Sequence, residues 1–150
     1  MREWNHLESR SVDQVIGAFL LIDRGLFVDL GGYDERFLVY YEDVDLSLRA
    51  RAKGFCSMYL STTYAYHVGG GTARKYWAES LFLNRRSRIQ YARKHFGAGA
   101  VIALTIATLF VEPIVRTINS IALRSRAELC ANWQATRRLW ASVLTEGIPS

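Results

Sequence analysis

Up to about residue 96, the chain of 150 residues alternates short apolar runs with polar and glycine-containing segments. The run VIGAFLLID at residues 15–23 is rich in residues that favour β-structure and predicts a buried strand. RGLFVDL predicts a short helical turn, and the loop after it falls at Gly31 and Gly32, which tolerate backbone angles that other residues resist. FCSMYL at residues 55–60 predicts a second strand. This alternation is typical of an α/β domain.

Two further segments follow a helical pattern. Residues 44–53 predict a helix with Asp43 as candidate N-cap, Asp45 in the first turn and Gly54 as the stop signal. Residues 80–96, SLFLNRRSRIQYARKHF, predict an amphipathic basic helix.

The longest apolar region lies in the last third of the chain. AGAVIALTIATLFV, residues 98–111, carries no charge but is shorter than the about 20 residues that span a bilayer. EPIVRTINSIAL continues it with only Glu112 and Arg116 charged, and Pro113 is expected to kink or restart the helix. We expect a helix pair or kinked helix at a membrane surface with its basic flanks toward the headgroups. A buried core or oligomer-interface helix and a transmembrane span are the alternatives.

Composition narrows the class of protein. The chain is 50% hydrophobic and 22% charged, which excludes a disordered chain and suits one globular or membrane-associated domain. The only two cysteines, Cys56 and Cys130, are far apart and indicate neither a disulfide framework nor a zinc site, so a reducing compartment is expected. The polar opening MREWNHLESRSVDQ lacks the apolar core of a secretory signal.

Charge is distributed unevenly along the chain. Residues 1–71 hold seven Lys or Arg and ten Asp or Glu, whereas residues 72–140 hold twelve and three. A basic C-terminal half suits phosphates of nucleotides or anionic lipids, although a merely solvated basic face has the same composition. Nucleic acid is not expected as a partner, because no recognition motif accompanies the charge.

The segment FLVYYEDVDLSLRARAKG, residues 37–54, places an acidic motif directly after an aromatic run. Carboxylates at a helix N-terminus are favoured by the helix dipole and by free backbone N–H groups. Beside an apolar wall, Asp43 would be a fixed proton acceptor that faces a cleft. Plain helix capping is the alternative role of the same residue.

The order of these motifs resembles a known family. GAFLLIDRGLFVDLGGYDERFLVYYEDVDLSLRARAKGF resembles the second half of the catalytic domain of family 2 glycosyltransferases, in particular their rhamnosyltransferase-like members. YAYHVGGGTA resembles the His-x-Gly-Gly-Ser/Thr segment of that family, so the resemblance covers about residues 15–96. It implies the C-terminal portion of a Rossmann-like GT-A fold, in residues 1–96. A helical, membrane-associated or packing segment would follow in residues 97–150.

The resemblance also implies roles for individual residues. Asp43 would be the general base that deprotonates the acceptor hydroxyl, and the reaction would invert the anomeric carbon. Glu42 would hold acceptor hydroxyls, with Asp45 among the substrate-binding residues. Gly17 and Ala18 would let the backbone approach the donor sugar.

The second motif would supply a metal ligand and a loop, and Trp77 and Arg49 lie outside it. His67 would ligate a divalent cation, Mg or Mn, on the donor diphosphate, although a lone histidine is equally a packed residue. Trp77 is a candidate for stacking on a sugar ring, and packing is its alternative. Arg49 is expected to pair with a nearby carboxylate. The loop that closes over the site would be Gly69, Gly70, Gly71 and Thr72.

The sequence also departs from the family pattern. The nucleotide-binding half of such an enzyme, with its Asp-x-Asp metal motif, does not appear before Val15. The expected function is therefore an inverting glycosyltransferase, or the C-terminal part of one whose N-terminal half is a separate partner. It would transfer a sugar, with rhamnose as one candidate, from a nucleotide-sugar to a saccharide or polyprenyl-linked acceptor. The expected location is peripheral, on the cytoplasmic face of the membrane. The alternative is a non-catalytic membrane-associated or partner-binding fragment.

Overall fold

The computed structural model describes residues 4–67, 76–147 and 149. These residues form two compact units, one within residues 1–35 and 42–69 and the other within residues 36–41 and 70–150. The boundary predicted at residues 96 and 97 follows the family resemblance and stays a prediction. The compact units of the structure have their boundaries elsewhere, after residues 35, 41 and 69.

The first unit combines one small sheet with two helices. Strand β1 (Arg10–Val12) pairs antiparallel with β2 (Ser57–Tyr59), with Arg10 opposite Tyr59. A 3-10 turn follows at Gly17–Phe19.

Helix α1 (Arg24–Asp29) has a defined beginning and end. Asp23 caps it by accepting a hydrogen bond from the Leu26 N–H at 2.9 Å. After the helix, Gly31 and Gly32 adopt φ values of 75° and 71°, a left-handed conformation that glycine enters without steric cost.

Helix α2 (Glu42–Ala52) has acidic residues at its beginning and basic residues at its end. Its first turn is acidic and its last turn holds Arg49 and Arg51, so both ends complement the helix dipole. Leu46, a residue of this helix, is buried. Gly54 follows the helix with a φ of 88°.

The second unit is a helical assembly. Helix α3 (Trp77–His95) is followed by α4 (Ala98–Ile106), a π-helical segment (Ala107–Val111) and α5 (Glu112–Ala122). Helix α6 (Arg126–Glu146) closes the unit, with Ser125 as its N-cap. The hydrophobic core lies between α3, the π-helical segment and α6. Burial of each large apolar side chain there stabilises the fold by about 1.5–3 kcal/mol. The members of the core are Leu81, Phe82, Ile89, Leu109, Ala135 and Leu139.

Residues 36–41 also belong to the second unit, where they pack along α3. Phe37 is buried, and the Ser87 hydroxyl donates to the Val39 carbonyl at 2.9 Å. Tyr40 and Tyr41 have φ values of 70° and 71°, which is rare for two consecutive residues with large side chains. The contacts with α3 hold this segment in a conformation that its own residues disfavour.

Several sequence predictions are confirmed. The short helix after Asp23 is α1, the run at residues 55–60 contains β2, and residues 80–96 fall almost wholly within α3. The helix predicted at residues 44–53 is α2, but it begins two residues earlier.

Two predictions are wrong. The run at residues 15–23 is not a strand, because it pairs with no other strand among the described residues and holds only the 3-10 turn. Asp43 is not an N-cap, since α2 begins at Glu42 and Asp43 lies inside its first turn.

The fold class is only partly as expected. The described residues are mostly helical, and their one sheet has two antiparallel strands. A parallel, Rossmann-like sheet is not present in this part of the chain.

The apolar region forms one long helix, residues 98–122, in which the π-helical segment joins α4 to α5. Pro113 does not break it but stands at the change from the π-helical segment to α5, which begins at Glu112, so the predicted restart of the helix is confirmed. Among the described helices this one is long and apolar enough to cross a membrane, and 22% of its apolar stretch is buried within the chain. Most of this helix is therefore exposed, although its Leu109 belongs to the core of the second unit.

Candidate active site

Asp43 is held by backbone N–H groups. Its Oδ2 accepts a hydrogen bond from the Gly17 N–H at 2.8 Å, and its Oδ1 accepts one from the Val44 N–H at 2.8 Å. Each carboxylate oxygen keeps a second lone pair for another donor. Asp43 is therefore oriented by two fixed donors in the first turn of α2 and can still accept a proton.

Gly17 approaches Asp43 closely because it has no side chain. A Cβ at residue 17 would lie 3.3 Å from the Asp43 Cβ and 3.5 Å from Oδ2. The sequence led us to expect that Gly17 and Ala18 approach a donor sugar, which stays a prediction. The contact that the structure describes is between Gly17 and the carboxylate.

Glu42, the first residue of α2, has a buried oxygen without a partner. Its Oε2 accepts no hydrogen bond from the described residues. A buried carboxylate oxygen without a donor is costly, so such an atom indicates a missing donor. A water molecule or a hydroxyl group of a bound molecule would supply one.

Tyr33 lies within electrostatic range of both acidic residues. Burial raises the pKa of Tyr33, and the negative charges of Asp43 and Glu42 raise it further. The phenol therefore keeps its proton at neutral pH and remains a donor next to two carboxylates. Sequence reasoning missed Tyr33, and its place directly after the Gly31–Gly32 turn was the available signal.

Asp45 faces the interior of the first unit. Its side chain is completely buried and accepts a hydrogen bond from Arg49 Nε at 2.7 Å. The remaining Arg49 nitrogens donate to the carbonyls of Leu30 at 2.6 Å and Gly32 at 2.8 Å. The predicted pairing of Arg49 with a carboxylate is confirmed. The pair ties α2 to the glycine turn, and a substrate contact of Asp45 stays a prediction.

The other predicted site residues are dispersed. Ala18 lies in the 3-10 turn, His67 is exposed in the first unit, and Trp77 is the first residue of α3 in the second unit. Gly69, Gly70, Gly71 and Thr72 lie outside the described residues.

The described residues do not fit a metal site. No three His, Cys, Asp or Glu side chains among them come together in a group that could hold an ion. His67 alone supplies one nitrogen, whereas Mg or Mn sites need several oxygen-rich ligands.

Sequence reasoning also missed a cluster of charges in the second unit, hereafter the arginine cluster: Arg85, Arg88, Glu112 and Arg116. Glu112 accepts from all three arginines: from Arg85 Nε at 3.2 Å, from Arg116 Nε at 2.7 Å, and from Arg88 Nη2. A single Glu inside an apolar run, with Arg four residues later, was the sequence signal.

Arg85 anchors this cluster in the protein interior. Its side chain is completely buried, and its Nη groups donate to Thr136 Oγ1 at 2.9 Å and Asn132 Oδ1 at 2.6 Å. Burial lowers the pKa of Arg85, while the Glu112 charge raises it. Burial alone would raise the pKa of Glu112, but the hydrogen bonds and charges of the three arginines bring it below its usual value. The cluster is therefore ionised at neutral pH.

Comparison with known proteins places the chain among partial homologues of glycosyltransferases. N-acetylglucosaminyl-diphospho-decaprenol L-rhamnosyltransferase, in two strains of Mycobacterium tuberculosis, is 34% identical over 89 residues, which are 59% of this chain and 29% of that protein. Rhamnosyltransferase WbbL of Escherichia coli K12 is 31% identical over 84 residues, 55% of this chain and 32% of that protein.

The chain thus spans less than a third of either relative. No family model and no solved structure matches it. Over 55–59% of its own length, the chain is therefore similar to rhamnosyltransferases.

Proposed function

We propose that the chain is the acceptor-side, C-terminal part of an inverting family 2 glycosyltransferase. It transfers a sugar, with rhamnose as the first candidate, from a nucleotide-sugar to a lipid-linked saccharide at the cytoplasmic face of the membrane. The relatives' names support the sugar and the acceptor class. The orientation of Asp43 by the Gly17 N–H carries the proposal on the structural side.

Asp43 acts as the general base. It takes the proton of the acceptor hydroxyl while that oxygen attacks the anomeric carbon and the nucleotide diphosphate leaves from the opposite side. One displacement of this kind inverts the anomeric centre. Fixing the carboxylate with two backbone donors removes the need to reorganise it during the reaction.

Glu42 and Tyr33 serve the acceptor. The unpartnered buried oxygen of Glu42 accepts a hydrogen bond from a sugar hydroxyl. Tyr33, kept neutral by burial and by the adjacent carboxylates, donates to a second sugar oxygen. A saccharide that offers both a donor and an acceptor matches this pair.

The donor side belongs to another part of the protein or to a separate N-terminal half. A divalent cation on the donor diphosphate, with His67 as one ligand, is a proposal by resemblance alone. The described residues alone do not assemble the ligands of such a cation, and the proton transfer to Asp43 is proposed without it.

A location at the membrane surface agrees with the exposure of helix 98–122. Phe110, Ile114, Ile118 and Ile121 are exposed at intervals of three and four residues and form the apolar stripe of this helix. Helix α3, which packs in the same unit, is strongly basic, and carrying its charges into a bilayer is costly. An interfacial position therefore suits the unit better than a spanning one.

A non-catalytic membrane-associated fragment is the second candidate function. The exposed apolar stripe favours it. Such a fragment would bind membranes or a partner without turnover.

Substitution of Asp43 tests the proposal. The chain is assayed for transfer of nucleotide-activated rhamnose to a lipid-linked saccharide, alone and with a separately expressed N-terminal half of the Mycobacterium tuberculosis relative. Asp43→Asn should lower the transfer rate about a hundred- to ten-thousand-fold, the usual effect of losing a general base, with donor affinity unchanged. Asp29→Asn, on the exposed end of α1, is the control for the loss of one charge.

Retained turnover in Asp43→Asn would remove Asp43 from the role of base. A folded wild-type chain without turnover in either assay would favour the non-catalytic fragment.

A further inference from the structure

The arginine cluster has more positive charge than its own carboxylate neutralises. Three guanidinium groups surround the single Glu112 carboxylate, which leaves two positive charges in excess. We propose that this cluster binds the diphosphate group of a membrane lipid. The inference rests on the proposed function, because the lipid would be the lipid-linked acceptor.

The arginines of the cluster differ in their remaining hydrogen-bonding capacity. Each of the three nitrogens of Arg85 already donates to a protein oxygen, and its side chain is completely buried. Arg88 has a buried Nε with no acceptor among the described residues. Arg116 contacts Glu112 through Nε, and its Nη groups have no acceptor in the same part of the chain. The donors left for an anion are thus the N–H groups on the Nη atoms of Arg88 and Arg116, whose side chains are partly exposed.

These two arginines are also accessible. The side chains of Arg88 and Arg116 are 26% and 42% exposed, whereas that of Arg85 is completely buried. A ligand can reach the first two without disrupting the core. Arg85 instead fixes Glu112 from the inside, and Glu112 fixes the other two guanidiniums.

The cluster lies at the depth where lipid phosphates are found. On a helix with about 100° per residue, Glu112 and Arg116 project from the face opposite the apolar stripe. A helix is about 10 Å wide, and an interfacial helix buries its apolar face about 5–10 Å into the boundary of the headgroups and acyl chains. The opposite face then stands in the headgroup layer.

The excess charge matches a diphosphate better than an ordinary phospholipid. The phosphodiester of phosphatidylglycerol carries one negative charge, and a lipid diphosphate carries at least two. A diphosphate also offers oxygens on two phosphorus atoms, so one phosphate can face each exposed guanidinium fork. The ligand is therefore a diphosphate carried by an apolar chain.

Vesicle binding of the full 150-residue chain tests this assignment. The vesicles contain phosphatidylcholine alone, phosphatidylcholine with phosphatidylglycerol, or phosphatidylcholine with decaprenyl diphosphate at equal surface charge. Soluble inorganic pyrophosphate is titrated in a fourth arm. We expect the wild-type chain to bind the diphosphate vesicles about tenfold more tightly than the phosphatidylglycerol vesicles. Pyrophosphate should bind more weakly than the lipid diphosphate, because it has no apolar chain.

Variants separate a site from general surface charge. Arg88→Gln and Arg116→Gln should each remove most of the tenfold preference. Arg116→Lys keeps the charge but loses the fork, so it should lower the preference while leaving phosphatidylglycerol binding unchanged. Arg137→Gln, on the exposed side of α6, removes one charge outside the cluster and should leave the preference intact. Circular dichroism of each variant reports that the helices remain folded.

Three outcomes overturn the proposal: equal binding to both anionic vesicles, equal loss of preference in Arg137→Gln and Arg116→Gln, or pyrophosphate binding as tight as lipid binding. The last outcome would assign the cluster to a soluble diphosphate. Asp43→Asn should bind every vesicle like the wild type. The vesicle assay therefore tests the lipid site, and the transfer assay separately tests the catalytic role of Asp43.

Discussion

The contact between Gly17 and Asp43 sets the position of the proposed base. A methyl group at residue 17 would lie 3.3 Å from the Asp43 Cβ, which is tighter than an ordinary contact, so the carboxylate or the turn has to shift. A shift of about 1 Å in a catalytic group is enough to cost about a hundredfold in rate.

Gly17→Ala is therefore expected to lower the rate of sugar transfer while the helical content stays unchanged. The measurement is turnover in the two-part assay alongside circular dichroism. Gly99→Ala is the control, because a Cβ at residue 99 meets nothing within 4 Å and alanine favours a helix. Equal turnover in Gly17→Ala and the wild type would mean that the Gly17 contact does not position Asp43.

Tyr33 gives a second prediction for single residues, through pH. Burial, followed by the charges of Asp43 and Glu42, raises the pKa of Tyr33 above the usual value of 10.0. The folded state then holds the phenolic proton more tightly than the unfolded state. The stability that results is complete below pH 10.0 and is lost as the pH rises through the folded-state pKa.

The free energy of unfolding of the wild type should consequently fall more steeply above pH 10.0 than that of Tyr33→Phe. Urea unfolding at pH values on both sides of 10.0 measures the difference. Parallel curves for the two proteins would show that the pKa of Tyr33 is not raised in the folded state.

For the helices and strands, the pairing of Asp45 with Arg49 explains why α2 is attached to the glycine turn. The Asp45 carboxylate is completely buried, and Arg49→Ala would remove the guanidinium group that pairs with it at 2.7 Å. Removing one partner of a buried pair costs about 3–5 kcal/mol. The two carbonyls at the turn would lose their donors as well.

Arg51 provides the matched control in the same helix. It pairs with the exposed carboxylate of Asp13, and such surface pairs are worth at most about 1 kcal/mol. Urea unfolding should show a loss of about 3 kcal/mol or more for Arg49→Ala and a much smaller one for Arg51→Ala. Similar losses in both variants would argue against a special role of the Asp45–Arg49 pair.

Helices that carry their own signals could be predicted from the sequence. RGLFVDL followed by two glycines predicts α1, and Gly54 marks the end of α2. The run at residues 15–23 was misassigned because a strand depends on a partner elsewhere in the chain, which composition does not reveal. Strand β1 was missed for the same reason, since three residues, two of them exposed, carry little pattern.

The candidate sites also combine parts that the sequence reveals with parts that depend on contacts between distant residues. The acidic motif that contains Asp43 is local and visible in the sequence. The N–H group that orients it comes from residue 17, and Tyr33 approaches it across the glycine turn. The arginine cluster joins α3, α5 and α6, so its existence depends on helix packing and not on any motif.

At the scale of the whole molecule, the second unit combines an exposed apolar stripe with a basic and partly polar interior. Thr108, Asn132 and Thr136 are among its most deeply buried residues, while Ile114 and Ile118 face outward. Exposed apolar side chains arranged along one helix face mark a membrane or protein contact. The excess of basic residues in this half of the chain favours an anionic membrane.

Simultaneous replacement of Ile114, Ile118 and Ile121 by glutamine should abolish attachment to anionic vesicles and leave the fold intact, because the three side chains are exposed. Each methylene group withdrawn from an apolar environment costs about 0.8 kcal/mol, so a loss of at least about a hundredfold in partitioning is expected. Salt should weaken the binding of the wild type without erasing it, since only the electrostatic part is screened. Leu144→Gln, an equally apolar exposed residue on α6, is the control outside the stripe. Flotation with vesicles measures the attachment, and circular dichroism reports whether the variant is folded. A folded triple variant that still floats would mean that the stripe contacts another protein surface and not lipid.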